Sequence, residues 1–325
     1  MLAASSEPEA RTSAPARPLL RSLLFVPATK PSWVESAIEA GADAIILDLE
    51  DAVPADSKAD ARQAAAEIVS GWQSEARLFV RVNPLTGIGS IDELRSVVGP
   101  RLSGVMLPKV SCRADVVLAD RLLGWCEAEL GLAAGTVALV PLLETPAALW
   151  DAHGIARTAG RVAYLGAVTS RGGDIERSVG FRWTPEGTET LVFRSSVLLA
   201  ARAAGVHNPV SGLWTDLRDS AGLQRFAELT RQIGYAGMLA IHPSQVAIIN
   251  RAFTLSDQDI ERYQRIIAAV ENGSANGSGA VLVDGVMVDE AMAITARAEL
   301  WRAAGAAEQG NLTPPSGPLR HPEEP

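Results

Sequence analysis

Eight short apolar runs recur along the chain, each bounded by polar or turn residues. They are LLFVPA (23–28), DAIILDLE (43–50), RLFVRVN (77–83), GVMLPKV (104–110), TVALVPLLE (136–144), RVAYLGAV (161–168), PVSGLW (209–214) and GMLAIHP (237–243). Their unbroken Val/Ile/Leu character suits parallel strands covered on both faces, because a half-exposed strand would alternate apolar with polar. Helix-like stretches lie between them, among them residues 33–42, 58–72, 90–99, 113–130 and 188–205. Ser90 followed by Glu93 has the spacing of a capping box opening one of these helices. A strand followed by a helix, eight times over, predicts an α/β fold, a (β/α)₈ TIM barrel. An open doubly wound sheet is the alternative, and PVSGLW is the weakest strand of the eight.

After Pro243 the alternation stops. Residues 244–253 and 256–273 read as helices, the second opened by Ser256 with Asp259 three residues on. NGSANGSGA (272–280) reads as a flexible loop and residues 289–305 as a final helix. The predicted organisation is a tail over 1–18, the barrel over 19–250, a C-terminal helical extension over 251–308 and a second tail over 309–325.

Composition narrows the class. A chain of 325 residues, 47% hydrophobic and 21% charged, accommodates one barrel of about 250 residues plus an extension. A net charge of −9 without a Lys/Arg-rich block argues against nucleic acid or an anionic membrane as partner. No apolar run is long enough to span a bilayer, and the N-terminus lacks the apolar core of a signal peptide, so the cytoplasm is the default expectation. The two cysteines, Cys112 and Cys126, form no C-x-x-C pair.

Candidate chemistry follows from where a barrel keeps its active site, at the C-terminal ends of the strands. Strand two ends in Asp48, Glu50 and Asp51, and strand three in Arg81-Val82-Asn83. Strand four ends in Pro108-Lys109, strand five in Glu144, and strand six runs into GAVTSRGGD with Asp174. Three carboxylates crowded within four residues repel one another unless cations sit among them. The acids of strand two are therefore predicted to face a cationic site. The plainer alternatives are Asp51 as a helix cap and a structural network with Lys58 and Arg62. Glu144 ends a nearly unbroken apolar run, which marks it as functional, whereas His242 in IHPSQ reads as structural. GIG at 87–89 reads as a turn whose amides could approach a phosphate, being too short for a nucleotide loop. Strand-end carboxylates without His or Cys beside them suit a hard cation such as Mg²⁺, which takes oxygen ligands and keeps positions open for a 2-oxo or 2-hydroxy acid.

The ordered set LLFVPA, DAIILDLEDAVP with Lys58 and Arg62, VRVNPL, VMLPKV, LVPLLETP and IHPSQV resembles the HpcH/HpaI aldolase and citrate lyase beta-subunit superfamily. The resemblance covers residues 20 to 305. It implies a TIM barrel and Mg²⁺-dependent cleavage or formation of carbon–carbon bonds in compounds such as citryl-CoA and malyl-CoA. It implies Glu144 as the first metal ligand and Arg81 as the group contacting substrate and thioester oxygens, with Asp48 and Lys109 as further substrate-binding candidates. The second ligand in the family is an aspartate after strand six, in a Gly-Ala-x-Asp stretch. Here Gly166-Ala167 leads to Val168-Thr169-Ser170, so the resemblance transfers that role to Asp174 through a short insertion. GSGAVLVDGVMVDEAM resembles the C-terminal segment of malyl-CoA lyase-like members, implying that Asp289 acts in a neighbouring subunit of a homo-oligomer, a trimer or hexamer. The plain alternative for Asp289 is an N-cap. The implied partners are an acyl-CoA thioester and a small 2-oxo acid such as glyoxylate. A CoA-independent class II hydroxy-oxo-acid aldolase, and a beta subunit working only within a complex, are the alternative activities.

Overall fold

The computed structural model describes residues 17–305, apart from Ile88, Val168 and His207. Eight parallel strands, β1 (Ser22–Pro27), β2 (Ala44–Asp48), β3 (Arg77–Arg81), β4 (Gly104–Val110), β5 (Ala138–Leu143), β6 (Tyr164–Ala167), β7 (Asn208–Ser211) and β8 (Gly237–Ala240), pair in sequence order. Pairing of β8 with β1, Met238 opposite Ser22, closes the barrel and excludes the open sheet. The intervening helices are α1 (Trp33–Glu39), α2 (Lys58–Gly71), α3 (Gly89–Val97), α4 (Arg113–Glu129), α5 (Pro146–Trp150), α6 (Ala152–Arg157), α7 (Asp174–Val179), α8 (Thr188–Ala203) and α9 (Ser220–Ile233). Helix α10 (Pro243–Phe253) follows β8.

The pleat sorts each strand into two sets, because successive side chains point to opposite faces. Leu23, Ile46, Phe79, Met106, Val140, Leu142, Tyr164, Val210 and Leu239 fill one core, inside the barrel. Their chain neighbours Leu24, Ile45, Leu47, Leu78, Val80, Leu139 and Leu165 fill a second core with the helices. Continuing the inward set by two residues places Asp48 after Ile46, Arg81 after Phe79 and Glu144 after Leu142. The same alternation that builds the core therefore delivers the polar groups to the mouth.

The far end of the barrel is sealed by hydrogen bonds. Arg161 forms a fork on Glu127 (2.8 and 3.0 Å) and bonds Asp120 at 2.5 Å. Tyr164 donates to the Pro18 carbonyl at 3.0 Å, and Arg17 to the Gly135 and Thr136 carbonyls. Arg17 and Pro18, assigned by the sequence to the tail, thus belong to the barrel's base. The rest of the tail over 1–18 and all of 309–325 lie outside the described residues.

Strand β7 is shorter than PVSGLW predicts. Gly212 leaves it, and a Cβ there would stand 1.8 Å from the Thr169 carbonyl oxygen, so the close approach of the loop after β6 demands glycine. The Ser90–Glu93 capping box does not form. Helix α3 already starts at Gly89, and the Glu93 carboxylate accepts from the Asn83 backbone (2.6 Å) and side-chain amides (2.7 Å).

Two compact units divide the chain, the first ending at Phe253 and the second starting at Thr254. The second contains α11 (Asp257–Ala275), β9 (Ala280–Val283), β10 (Val286–Asp289) and α12 (Glu290–Gly305). Ser256 and Asp259 form the expected capping box. The expected flexible loop is instead the last turn of α11 and the entry to an antiparallel hairpin. Asp284 (φ +50°) and Gly285 (φ +78°) make its turn, since two central residues with positive φ match the twist of the flanking strands. The extension is therefore helical with a two-stranded ribbon, packed around Ile266, Val270, Val288, Ala293 and Ala296.

Candidate active site

Asp48, the last residue of β2, organises the loop that follows it. Its carboxylate accepts the backbone amides of Glu50 (2.9 Å) and Ala52 (3.2 Å), turning the chain back over the mouth. The same carboxylate grips Arg81 as a fork, Nε at 2.7 Å and Nη2 at 2.5 Å. Arg81 Nη1 stands 3.2 Å from Glu50 Oε2, and the guanidinium lies 4.7 Å from the centre of the Phe25 ring. Burial opposes its charge, but hydrogen bonds to Asp48 and the fields of Asp48, Glu50 and Glu144 outweigh that and raise its pKa. A permanently cationic group is thus fixed in a largely buried place.

Glu50 bridges two cations. Its second oxygen accepts from the ammonium of Lys109, which also bonds Asp51 at 2.9 Å. Burial raises the Glu50 pKa, with Lys109 and Arg81 pulling against it. The acids of strand two do face cations, as predicted, and those cations are Arg81 and Lys109. Asp51 caps no helix. Lys58 takes the Leu49 and Glu50 carbonyls, both at 2.6 Å, and Asn83 Oδ1 at 2.8 Å, so it clamps the loop's backbone rather than its carboxylates.

Glu144 follows β5 and is 6% exposed. One oxygen accepts the backbone amide of Lys109 at 2.8 Å. Burial raises its pKa, only partly countered by that hydrogen bond and by Arg81. Lys109 owes its reach to an irregularity. Leu107 pairs with Pro141 and Val110 with Leu143, so Pro108 and Lys109 together face one residue of β5. This bulge holds Lys109 at φ +52°, in the left-handed region that side chains rarely adopt.

The remaining predicted residues have local partners. Asp174 opens α7 and pairs with Arg177 three residues on. Thr169, standing where the family resemblance places an acid, is fully buried with its hydroxyl unpartnered. Asp289 ends β10 and accepts the Met292 amide at 3.1 Å, so it does cap α12. His242 bonds the hydroxyl and amide of Ser244 at the start of α10, a local role. Gly89 lies inside α3 rather than in a phosphate-binding turn. Among the described residues, no group of three or more His, Cys, Asp or Glu side chains is arranged to hold a metal.

A hard cation fits Glu144 best. Asp48, Glu50 and Asp51 are committed to Arg81 and Lys109, whereas Glu144 is a buried carboxylate in no ion pair among the described residues, and its charge would be relieved by a cation. Asp174 offers the same oxygen chemistry but is held by Arg177. Sequence reasoning missed Glu50 as the bridge and the Lys58–Asn83–Glu93 clamp. Pro108 was the readable sign of the bulge, since proline inside a buried strand is confined to such irregularities.

The profile of the HpcH/HpaI aldolase/citrate lyase family matches residues 21–243. The citrate lyase subunit beta-like protein of Deinococcus radiodurans is 36% identical over 286 residues, covering 86% of this chain and 95% of its own. A (3S)-malyl-CoA thioesterase of Cereibacter sphaeroides is 32% identical, covering 87% and 94%. Among solved structures, CitE of Mycobacterium tuberculosis in complex with magnesium, acetoacetate and coenzyme A superposes with a TM-score of 0.69. It is 27% identical and covers 88% of this chain and 98% of its own.

Proposed function

Since the chain belongs to the HpcH/HpaI aldolase/citrate lyase family, a family of lyases, we propose that it is a Mg²⁺-dependent carbon–carbon lyase. Its substrate would be a 3-hydroxyacyl-CoA of the citryl-CoA or malyl-CoA type, cleaved to a 2-oxo acid or oxaloacetate and an acyl-CoA, or formed from them in reverse. The observation carrying this reading is the mouth itself, where Arg81, locked on Asp48 and Glu50, stands with a buried and unpaired Glu144. The magnesium in the related CitE structure supports the cofactor, and its coenzyme A supports the thioester.

Glu144 and Asp174 would hold the ion, which supplies Lewis acidity toward the oxo-acid oxygens. Cleavage breaks the bond between the acyl α-carbon and the hydroxyl-bearing carbon. The hydroxyl gives its proton to solvent water and becomes the new carbonyl of the oxo acid, and the bonding electrons move onto the thioester carbonyl as an enolate. Arg81 neutralises that developing charge without having to reorganise, because Asp48 and Glu50 already fix its plane. Asp48 and Lys109 would bear on the substrate through Arg81 and Glu50, which they hold in place. Asp289, contributed by a neighbouring subunit of a trimer or hexamer, would hand a proton to the enolate carbon. The sequence carries no Lys/Arg-rich block, and among the described residues no helix is long and apolar enough to cross a membrane.

The 32% identity to a malyl-CoA thioesterase favours a second reading, hydrolysis of the thioester at the same site. Incubating the isolated protein with malyl-CoA and Mg²⁺ separates the two. Glyoxylate without free thiol marks the lyase, whereas free coenzyme A with malate marks the thioesterase. Cleavage of CoA-free hydroxy-oxo acids would identify the aldolase alternative. Silence toward every thioester until an acyl-carrier partner is added would identify a complex-bound subunit.

A further inference from the structure

Lys109 touches both halves of the mouth through different atoms. Its backbone amide donates to Glu144 at 2.8 Å, while its ammonium bonds Glu50 and Asp51. Glu50 in turn stands on Arg81 Nη1 at 3.2 Å. This double reach depends on the β4 bulge, which holds a lysine at φ +52°, a conformation glycine would adopt without strain. Only Lys109 and Asp284 among the described non-glycine residues have positive φ, and Asp284 sits in an ordinary hairpin turn. At Lys109 the strain has no turn to make, and residues kept in such regions collect at functional sites. The Lys109 side chain is 37% exposed, so its bond to Glu50 is not a necessity of packing.

We propose that Lys109 is a positioning residue that registers the two halves of the site. Through Glu50 it fixes the plane of Arg81, and through its backbone amide it fixes the carboxylate of Glu144. The proposal rests on the reading of Glu144 and Arg81 as metal ligand and charge stabiliser, and it assigns the strain at position 109 to function. A lysine side chain can be removed without removing the amide, so the two arms separate experimentally.

The experiment compares Lys109→Met, Lys109→Gly and Lys109→Arg with wild type. Mn²⁺ affinity is read by electron paramagnetic resonance, and kcat and KM with the best thioester substrate. Lys109→Met and Lys109→Gly should bind Mn²⁺ within about two-fold of wild type, because the amide still holds Glu144, yet lose kcat by roughly 10-fold to 100-fold, the scale of a misplaced charge donor. Their KM should move little. Lys109→Gly should melt at or above the wild-type temperature, since it relieves the backbone. Lys109→Arg should recover most of kcat. Glu50→Gln should lose kcat similarly, and adding it to Lys109→Met should cost little more, as expected of residues acting in one chain of contacts. Unchanged kcat in Lys109→Met overturns the proposal, as does a parallel collapse of Mn²⁺ affinity and melting temperature, which would make Lys109 a structural prop. Wild-type protein that binds no Mn²⁺, or a Glu144→Gln variant that binds it normally, sinks the metal reading and takes this proposal with it. Normal Glu144-dependent binding with an active Lys109→Met sinks the proposal alone.

Discussion

Arg81 and Glu144 carry opposite physical problems, and each yields a test. Arg81 is gripped as a fork by Asp48 and flanked by Glu50, a geometry that depends on a planar guanidinium with several fixed donors. An ammonium cannot serve Asp48, Glu50 and an enolate at once. Arg81→Lys is therefore expected to lower kcat/KM by about 10²-fold or more, the scale of a lost oxyanion donor, in a steady-state assay with the best thioester. A loss of only a few-fold would place Arg81 outside the reacting centre. Glu144 is a carboxylate that its own fold disfavours. Its folded-state pKa is raised above the unfolded value, so its favourable contribution holds at low pH and is lost as pH climbs from the ordinary carboxylate range through the raised value. Near neutral pH the charge costs stability. Glu144→Gln should then melt at or above the wild-type temperature in Mg²⁺-free buffer, gain nothing from added Mg²⁺, and be inactive. A large fall in melting temperature would show that the carboxylate serves the fold.

At the scale of elements, two irregularities decide what the regular pattern cannot. The bulge in β4 turns Lys109 back toward both Glu144 and Glu50, and no periodicity of apolar residues encodes which way its amide points. The hairpin of β9 and β10 was in principle legible, because Asp284-Gly285 stands between VLV and VMV. The Gly/Ser/Asn-rich stretch just before it has the composition of a loop and masks that signal. Gly285 has φ +78°, and Gly285→Val should cost about 1–2 kcal/mol, since a β-branched side chain in the left-handed region clashes with its own backbone. Chemical denaturation with a probe in the second unit measures this, and an unchanged midpoint would mean the turn is not a stability determinant. Elsewhere the element pattern was legible because each strand is short, apolar and followed by turn residues.

For the molecule as a whole, the base of the barrel and its mouth divide the labour. The base holds charge for stability. Burial works to raise the Glu127 pKa, but hydrogen bonds from Arg161, Val137 and Gly135 prevail and hold it below the usual carboxylate range. A depressed folded-state pKa contributes stability that is full above the unfolded value and is lost as pH falls through the folded one. Glu127→Gln should thus cost about 3 kcal/mol near neutral pH, the scale of breaking a buried pair. The gap to wild type should narrow as pH drops below the carboxylate range, and urea midpoints taken across pH would reveal it. A gap independent of pH would assign the cost to packing. The mouth instead accumulates unfavourable charge for chemistry. If that chemistry is completed by Asp289 of a neighbouring subunit, Asp289→Ala and Glu144→Gln subunits, each inactive alone, should regain part of the activity when mixed. Proven subunit exchange without recovery would remove Asp289 from the shared site.

The eight strands, their alternation with helices and the positions of Asp48, Arg81 and Glu144 at strand ends were all determined by local pattern. A two-residue period in a strand and the C-terminal placement of barrel sites need no long-range information. The identity of the cations facing the strand-two acids needed only charge arithmetic to require and only the fold to name. Tertiary structure alone decided that Glu50, not Asp51, bridges Arg81 and Lys109, and that Glu93 serves Asn83 rather than its own helix. It also decided that Glu144 is the mouth acid without a cation. Those outcomes depend on directions of side chains and amides converging from separate strands. Such directions are set by closure of the barrel and by one bulge, and neither is a property of any single stretch of sequence.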